Sequence, residues 1–196
     1  MNMKKSIMTF AAVLCCIMTA AVFTACSKSN NNDPIVIIPA KTTMSCTLKV
    51  ESNALNSFDF FASYYDNNGK VQTIQVPWVD SKTELVLINK SVPAKEWTID
   101  VARTKLPATH GVLFKVKPKE GIDHNAEYSF LWGFNMVYYG MDARDGVIID
   151  KNWSNESSFN IPEGKMDETF KSGEAILLNN LVTFQTDGSL TNGKWQ

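Results

Sequence analysis

The chain has 196 residues, with 19 lysines and arginines against 20 aspartates and glutamates, so its formal net charge is −1 at neutral pH. This balance argues against a nucleic-acid partner, because proteins that bind phosphate backbones carry a strongly basic surface. The length is sufficient for one domain whose core supports itself without disulfide bonds.

The first 25 residues have the composition of a secretory signal. Lys4 and Lys5 form a positive start, residues 7–22 are almost entirely apolar, and small residues lead to a cysteine at position 26. The sequence Thr24-Ala25-Cys26 resembles the bacterial lipobox, in which the cysteine thiol receives a diacylglycerol before the leader is removed. The resemblance implies an exported protein that is anchored to a membrane by lipid on Cys26, with no spanning helix.

Two other interpretations of the leader stay open. An uncleaved membrane helix would use a span close to the lower limit of about 17–25 apolar residues. A plain cleaved signal peptide would leave Cys26 lost or free. Under the lipoprotein interpretation Cys15 and Cys16 leave with the leader and Cys26 is lipidated, so Cys46 remains as a single thiol that cannot form an intramolecular disulfide.

Residues 26–43 are predicted to be the lipidated cysteine and a flexible tether. Residues 27–33 are all polar, and such a segment buries too little apolar surface to order itself. The alternative for the apolar run at 35–38 is pairing at a sheet edge. The lipobox resemblance implies an anchor in the outer membrane. Surface lipoproteins of similar bacteria often carry an acidic cluster after the cysteine, and residues 27–30 lack one, so the resemblance implies the periplasmic face.

From position 44 onward the pattern alternates between apolar and polar residues, which is typical of half-buried strands. Met44, Cys46, Leu48 and Val50 are predicted to face the core. The turn at 66–69 ends in Asn-Gly and predicts a hairpin whose two central residues both have positive φ. The predicted strands are 44–50, 58–65, 71–78, 85–88, 97–102, 112–117, 127–140, 146–150, 181–185 and 190–195, and the one predicted helix is 164–173.

This pattern predicts an all-β fold, an antiparallel two-sheet sandwich of immunoglobulin-like type, in a single domain over residues 44–196. At most one short helix is expected, and the strand–helix alternation of a parallel sheet is missing from the sequence. Strand 127–140 is the longest, and Trp132 in its middle is predicted to be the most deeply buried aromatic residue.

Several local motifs occur in an order that resembles small lipoproteins of Bacteroidetes-type bacteria with no assigned function. The motifs are the lipobox, the tether, Tyr65-Asp66-x-x-Gly69-Lys70, Leu106-Pro107-Ala108-Thr109, the long aromatic strand, and Phe184-x-x-Asp187-Gly188 with Trp195 beyond it. The resemblance implies a cell-envelope location and a β-sandwich domain. Its motifs are structural turns, so it implies no catalytic residue.

The residues that commonly bind metals do not form a recognisable set. Cys46 lies on the apolar side of its strand and is predicted to pack in the core as a small hydrophobe. His110 and His124 are not spaced as a ligand pair and are interpreted as ordinary loop histidines, the alternative being a zinc site completed by carboxylates. Asp142 and Asp145 resemble part of a calcium loop, but a hairpin turn is the favoured interpretation. No metal and no cofactor is therefore predicted.

Aromatic residues are the main candidates for binding. The doublets 60–61, 64–65 and 138–139 place one ring on each face of a sheet, so Phe61, Tyr65 and Tyr139 are predicted to point away from the core. Two interpretations follow: partial cover of these rings by neighbouring loops, which is favoured, or an exposed binding strip. Residues 150–164 are predicted to be a polar loop carrying two large rings, Trp153 and Phe159, which are candidate ligand contacts. For Trp153 the favoured interpretation is that it folds back and plugs one end of the sandwich.

No phosphate-binding loop and no G-x-S-x-G motif occurs in the sequence, so no catalytic residue is predicted. The favoured function is a non-catalytic, lipid-anchored envelope module that binds a glycan, a peptide or an envelope partner. The alternative is a hydrolase or inhibitor-type effector acting on envelope or secreted polymers, and a purely structural component is a third interpretation. A cleft with converging carboxylates of raised pKa would favour the hydrolase.

Overall fold

Alternating apolar and polar residues produce twelve strands and two short helices in the computed structural model, which describes residues 37–196. Cys26, the leader and the tether up to residue 36 lie outside the described residues. The strands are β1 Lys41–Glu51, β2 Phe58–Tyr65, β3 Val71–Gln75, β4 Val79–Asp80, β5 Leu85–Leu87, β6 Lys90–Val92, β7 Ala94–Arg103, β8 Ala108–Pro118, β9 Tyr128–Met141, β10 Val147–Ile161, β11 Ala175–Phe184 and β12 Leu190–Gly193. The helices are α1 Ala54–Ser57 and α2 Met166–Thr169.

Ten of the strands form two five-stranded antiparallel sheets that pack face to face as a sandwich. Sheet A has the order β10-β9-β1-β7-β4, and sheet B has the order β12-β11-β8-β2-β3. Strands β5 and β6 form a separate hairpin. The predicted all-β, two-sheet sandwich is confirmed. Ten strands exceed the seven of a constant-type immunoglobulin domain, so the likeness to that fold is one of architecture.

The core lies between the sheets and follows the predicted parity. Met44, Cys46, Leu48 and Val50 of β1 are all buried, while the residues between them are half-buried on the outer face. The expectation that Trp132 is the most deeply buried aromatic residue is wrong, since it is 8% exposed. Its neighbour on β10 is Ser157, whose short side chain covers little of the indole.

The hairpin between β2 and β3 is confirmed, but its turn differs from the predicted one. The amide of Asp66 donates to the Lys70 carbonyl at 2.8 Å, and the Gly69 amide donates to the Asp66 carbonyl at 2.9 Å. Only Gly69 has positive φ, at +77°, and Asn68 does not. The loop is therefore a three-residue connection closed by one left-handed glycine rather than a two-residue turn.

The prediction of a loop at residues 150–164 is wrong, because most of this segment belongs to β10. This strand pairs with β9 from Val147 opposite Met141 to Ile161 opposite Tyr128. Its polar composition suggested a solvated connection. However, β10 is the outermost strand of sheet A and exposes much of its surface, so polar residues at alternate positions are compatible with a strand.

Other boundaries also differ from expectation. Two four-residue helices are present instead of at most one; α2 lies within the predicted segment 164–173, and α1 was not predicted. The predicted strand 71–78 ends at Gln75, after which the chain crosses to sheet A, and β11 begins at Ala175, before the predicted start at 181.

The start of β1 at Lys41 precedes the expected domain boundary at 44, and Ile37 and Ile38 are exposed residues outside any strand. None of the helices formed by residues 37–196 is long and apolar enough to span a bilayer.

Candidate functional site

The face of sheet A that is turned away from sheet B, which we call the outer face, carries rows of polar residues. Because side chains alternate along strands, the residues between the core positions of β1, β9 and β10 meet here. Antiparallel register places them side by side in two rows, Thr47–Asn135–Ser154 and Lys49–Gly133–Glu156.

The β5–β6 hairpin crosses one end of this outer face. Leu85 and Val92 are buried against Leu131 of β9 and form a small second core there. Gly133 lies under the hairpin, and a Cβ atom at this position would be 3.2 Å from Leu85 Cδ2 and 3.0 Å from the Asn155 carbonyl oxygen. Glycine at 133 therefore allows the hairpin to approach the sheet closely.

Two polar contacts hold the hairpin, and the segment that leads into it, against sheet A. The Glu156 carboxylate oxygen Oε2 accepts the amide of Val86 at 2.9 Å, and Lys49 Nζ donates to Thr83 Oγ1. Lys49 and Glu156, the two charged residues of the outer-face rows, are therefore both hydrogen-bonded to the hairpin or to the segment before it. The hairpin is thus a fixed boundary of the outer face.

Beside the hairpin lies a groove of about 600 Å³, within the usual range of small-molecule sites. Seven polar residues line it: Thr47, Lys49, Asn135, Asn152, Ser154, Asn155 and Glu156. Within residues 37–196, the side chains of Asn135, Asn152 and Ser154 have no hydrogen-bond partner, which leaves two amides and a hydroxyl available to a ligand. Each amide both donates and accepts, so the groove suits a ligand rich in hydroxyl or amide groups.

The acidic groups do not form a hydrolytic pair in the groove. Glu156 is the one carboxylate among the described groove-lining residues, whereas glycoside hydrolysis ordinarily uses two. Asp66 and Asp142 have carboxyl pKa values below the usual range, mainly because backbone amides donate to them, and the pKa of Glu168 is lowered by Lys165. A general acid would need a raised pKa, and none of these three carboxyl groups has one.

The predicted aromatic residues do not form one site, because they lie on three different surfaces. Tyr139 is on the outer face of sheet A, in a second depression of about 350 Å³ that Asn67 and Asp100 also line. Phe61 and Tyr65 occupy the outer face of sheet B, and both are half-buried.

The ring of Tyr65 is covered by Trp195. The two ring centroids are 4.9 Å apart, with planes 22° from parallel. The indole Nε1 donates to the Asn180 carbonyl at 3.2 Å, and the Trp195 amide donates to Asn179 Oδ1 at 2.7 Å. The segment after β12 therefore occupies the surface on which Tyr65 would meet a ligand.

Trp153 and Phe159 lie on the inner side of β10 and pack against the core. Trp153 contacts Tyr138 edge to face at 5.4 Å, and Phe159 contacts Phe130 at 5.3 Å and Phe170 at 6.1 Å. Both rings are half-buried. This packing matches the favoured interpretation in which Trp153 folds against the sandwich, although it does so from a strand rather than from a loop.

His110 is not a loop histidine, contrary to expectation. It lies in β8 and is fully buried between the sheets, where its Nε2 shares a hydrogen bond with Thr42 Oγ1 at 2.8 Å. Its Nδ1 has no partner among the described residues. Burial, followed by the nearby charge of Arg103, lowers the pKa of His110 to about 4.

The remaining residues considered for metal binding have structural surroundings. His124 is in an exposed loop with Nδ1 2.6 Å from Asp167 Oδ1. Cys46 is fully buried, as predicted, and its burial raises the thiol pKa to about 12. No cluster of three or more histidine, cysteine or acidic side chains placed to hold a metal occurs in the described part of the chain.

Asp142 forms a hairpin turn, as favoured by its sequence. Its Oδ1 accepts the backbone amides of Arg144 and Gly146, both at 2.8 Å. The turn is completed by Asp145, which has a positive φ of +59°. The carboxylate is thus used to order the connection between β9 and β10.

Sequence reasoning did not identify the groove residues. Asn135, Asn152 and Ser154 are polar residues at outward positions of strands, which is the ordinary composition of such positions. One signal was present in Asn135, since it interrupts the strongly apolar β9. Comparison with protein-family profiles finds no matching family, and a search among curated proteins finds no similar sequence.

Proposed function

We propose that the protein is a non-catalytic binding module of the bacterial envelope, anchored by lipid on Cys26, and that the groove on the outer face of sheet A is its ligand site. The leader and the resemblance to small Bacteroidetes-type lipoproteins support the anchor, with the outer membrane and its periplasmic side as the proposed location. The main observation in support of a ligand site is the preformed groove. Within the described chain, the side chains of Asn135, Asn152 and Ser154 have no hydrogen-bond partner there.

The proposed ligand is a neutral glycan. Lys49 and Glu156 have opposite charges and are both engaged with the β5–β6 segment, so the groove offers no net charge to a charged ligand. Two asparagine amides and a serine hydroxyl can each donate to one sugar hydroxyl and accept from another. The groove volume of about 600 Å³ accommodates a short oligosaccharide segment.

A glycan array with the purified protein tests this proposal. The decisive variant is the double substitution Asn135→Ala and Asn152→Ala, and the matched control is Asn192→Ala, which removes an exposed asparagine from β12 in the other sheet. We expect the wild type and the control to retain the same glycan class and the double variant to lose affinity by about tenfold or more, since several hydrogen bonds are lost.

All three proteins should unfold at the same temperature, because the substituted side chains have no partner in the described structure. Retention of full affinity by the double variant would contradict the assignment of the groove. Loss of binding in Tyr139→Ala alone would move the site to the second depression, which Tyr139 lines.

A further inference from the structure

Strand β10 has one unused edge. It pairs along its whole length with β9, and it is the outermost strand of sheet A. Among residues 37–196, no other strand pairs with its second side. An edge of this kind presents a row of unpaired amide and carbonyl groups, which is a template for an added strand.

The inner side of this edge leaves part of the core uncovered. Asn155 and Ser157 lie between the two half-buried rings of β10, and their neighbours on β9 are Phe134 and Trp132. Phe134 points to the core side but is only half-buried. Two apolar side chains of an added strand, about 7 Å apart along its length, would cover this gap.

The outer side of the edge has two acidic residues, and the carboxylate of one of them, Glu156, also accepts the Val86 amide. The outward residues of β10 include Asp150 and Glu156, and none of them is basic. Lys151 is the one basic residue of β10, and it lies on the inner side near one end of the strand. Cross-strand neighbours of opposite charge stabilise a sheet, whereas like charges destabilise it.

We propose that the free edge of β10 is a docking site for an extended segment of a partner protein in which apolar and basic residues alternate. Its apolar side chains face the gap at Asn155 and Ser157, and its basic side chains face Asp150 and Glu156. A second copy of this chain fits less well, because β10 paired with itself brings two sets of carboxylates to one outer face. The proposal does not rest on the groove binding a glycan.

The probe is a synthetic peptide of about ten residues, a typical strand length, in which valine and lysine alternate and both ends are blocked. One comparison peptide has the same composition with the valines and lysines in two blocks, and another replaces lysine with glutamate. The decisive variant is Asn155→Lys, which puts a charged side chain into the gap at an exposed position. The control, Asn192→Lys, adds the same charge to the exposed β12 edge of sheet B.

We expect the alternating valine–lysine peptide to quench or shift tryptophan fluorescence saturably and to slow amide exchange along β10. Asn155→Lys should weaken this binding by about tenfold or more, because a partner would bury an unpaired charge, while Asn192→Lys should bind like the wild type. The glutamate peptide and the block peptide should bind more weakly than the probe by about the same factor.

Three results would overturn the proposal. The first is no saturable binding of the probe up to about 1 mM, the weak end of the affinity range. The second is equal binding of the block peptide or of the Asn155→Lys variant. The third is a concentration-dependent dimer of the wild type that Asn155→Lys abolishes, which would assign the edge to a second copy. Because Asn155 also lines the groove, glycan binding is tested with the Asn135→Ala and Asn152→Ala double variant and not with Asn155→Lys, so the two proposals can fail separately.

Discussion

Acidification should destabilise the protein through His110, whose side chain is fully buried between the two sheets. The folded protein holds the imidazole neutral, with a pKa of about 4 against an ordinary value of 6.5, because burial penalises the charged form. The unfolded chain therefore binds a proton at a higher pH than the folded chain does. The free energy of unfolding should fall as the pH drops from about 6.5, and this contribution should be fully lost below about 4.

The size of the effect follows from the difference between the two pKa values. One pKa unit corresponds to about 1.4 kcal/mol, so a shift from 6.5 to about 4 gives about 3 kcal/mol. Domains of this size are commonly stable by about 5–15 kcal/mol. The protonation of one side chain would thus remove a substantial part of the stability.

The assay is urea unfolding at a series of pH values between 7 and 4, followed by tryptophan fluorescence. His110→Gln removes the titrating group and keeps a polar side chain near Thr42, and His124→Gln removes the exposed histidine as a control. The wild type and His124→Gln should lose about 3 kcal/mol more than His110→Gln over this range. Carboxylates with lowered pKa, such as Asp66 and Asp142, also lose stability in acid, but they do so equally in all three proteins.

An equally steep acid dependence in His110→Gln and the wild type would refute this reasoning. It would mean that the imidazole is protonated in the folded state with little cost, and that the space around its Nδ1 is hydrated or paired.

Three further predictions concern the anchor, the hairpin and the edge strand. Cys26→Ala should abolish incorporation of radiolabelled palmitate, and a variant that still takes up label would disprove the lipobox interpretation. Gly133→Val should displace the β5–β6 hairpin, because a Cβ atom at this position would already lie 3.2 Å from Leu85. The free energy of unfolding should fall by about 1–3 kcal/mol, and proteolysis at residues 85–92 should become faster. An unchanged cleavage rate would count against the close approach of the hairpin to the sheet. Trp153→Ala should lower the melting temperature, because the indole packs on Tyr138, and leave glycan retention intact; the reverse outcome would restore Trp153 as a ligand contact.

Strands that bury one face could be predicted from the amino-acid sequence alone. Met44, Cys46, Leu48 and Val50 were assigned to the core from their period of two, and they are buried in the structure. This inference succeeds because the alternation of side chains is a property of the strand backbone itself. The same parity places His110 with the buried Val112, yet the sequence interpretation put this residue in a loop, and that expectation is wrong.

One polar segment is a strand because of its pairing within the folded sheet. Residues 150–161 have the composition of a loop, yet they pair with β9 along its full length. An edge strand buries only part of one face, and its local sequence contains too few apolar residues to show the period clearly. The pairing partner, not the local pattern, makes this segment a strand.

The candidate site likewise depends on the folded arrangement of the strands. Thr47, Asn135 and Ser154 become neighbours only through the register of β1, β9 and β10. The groove is bounded by a hairpin that reaches the sheet because residue 133 is glycine. Outward polar residues have the same composition whether they face open solvent or a ligand, so their function depends on which of them the fold brings together.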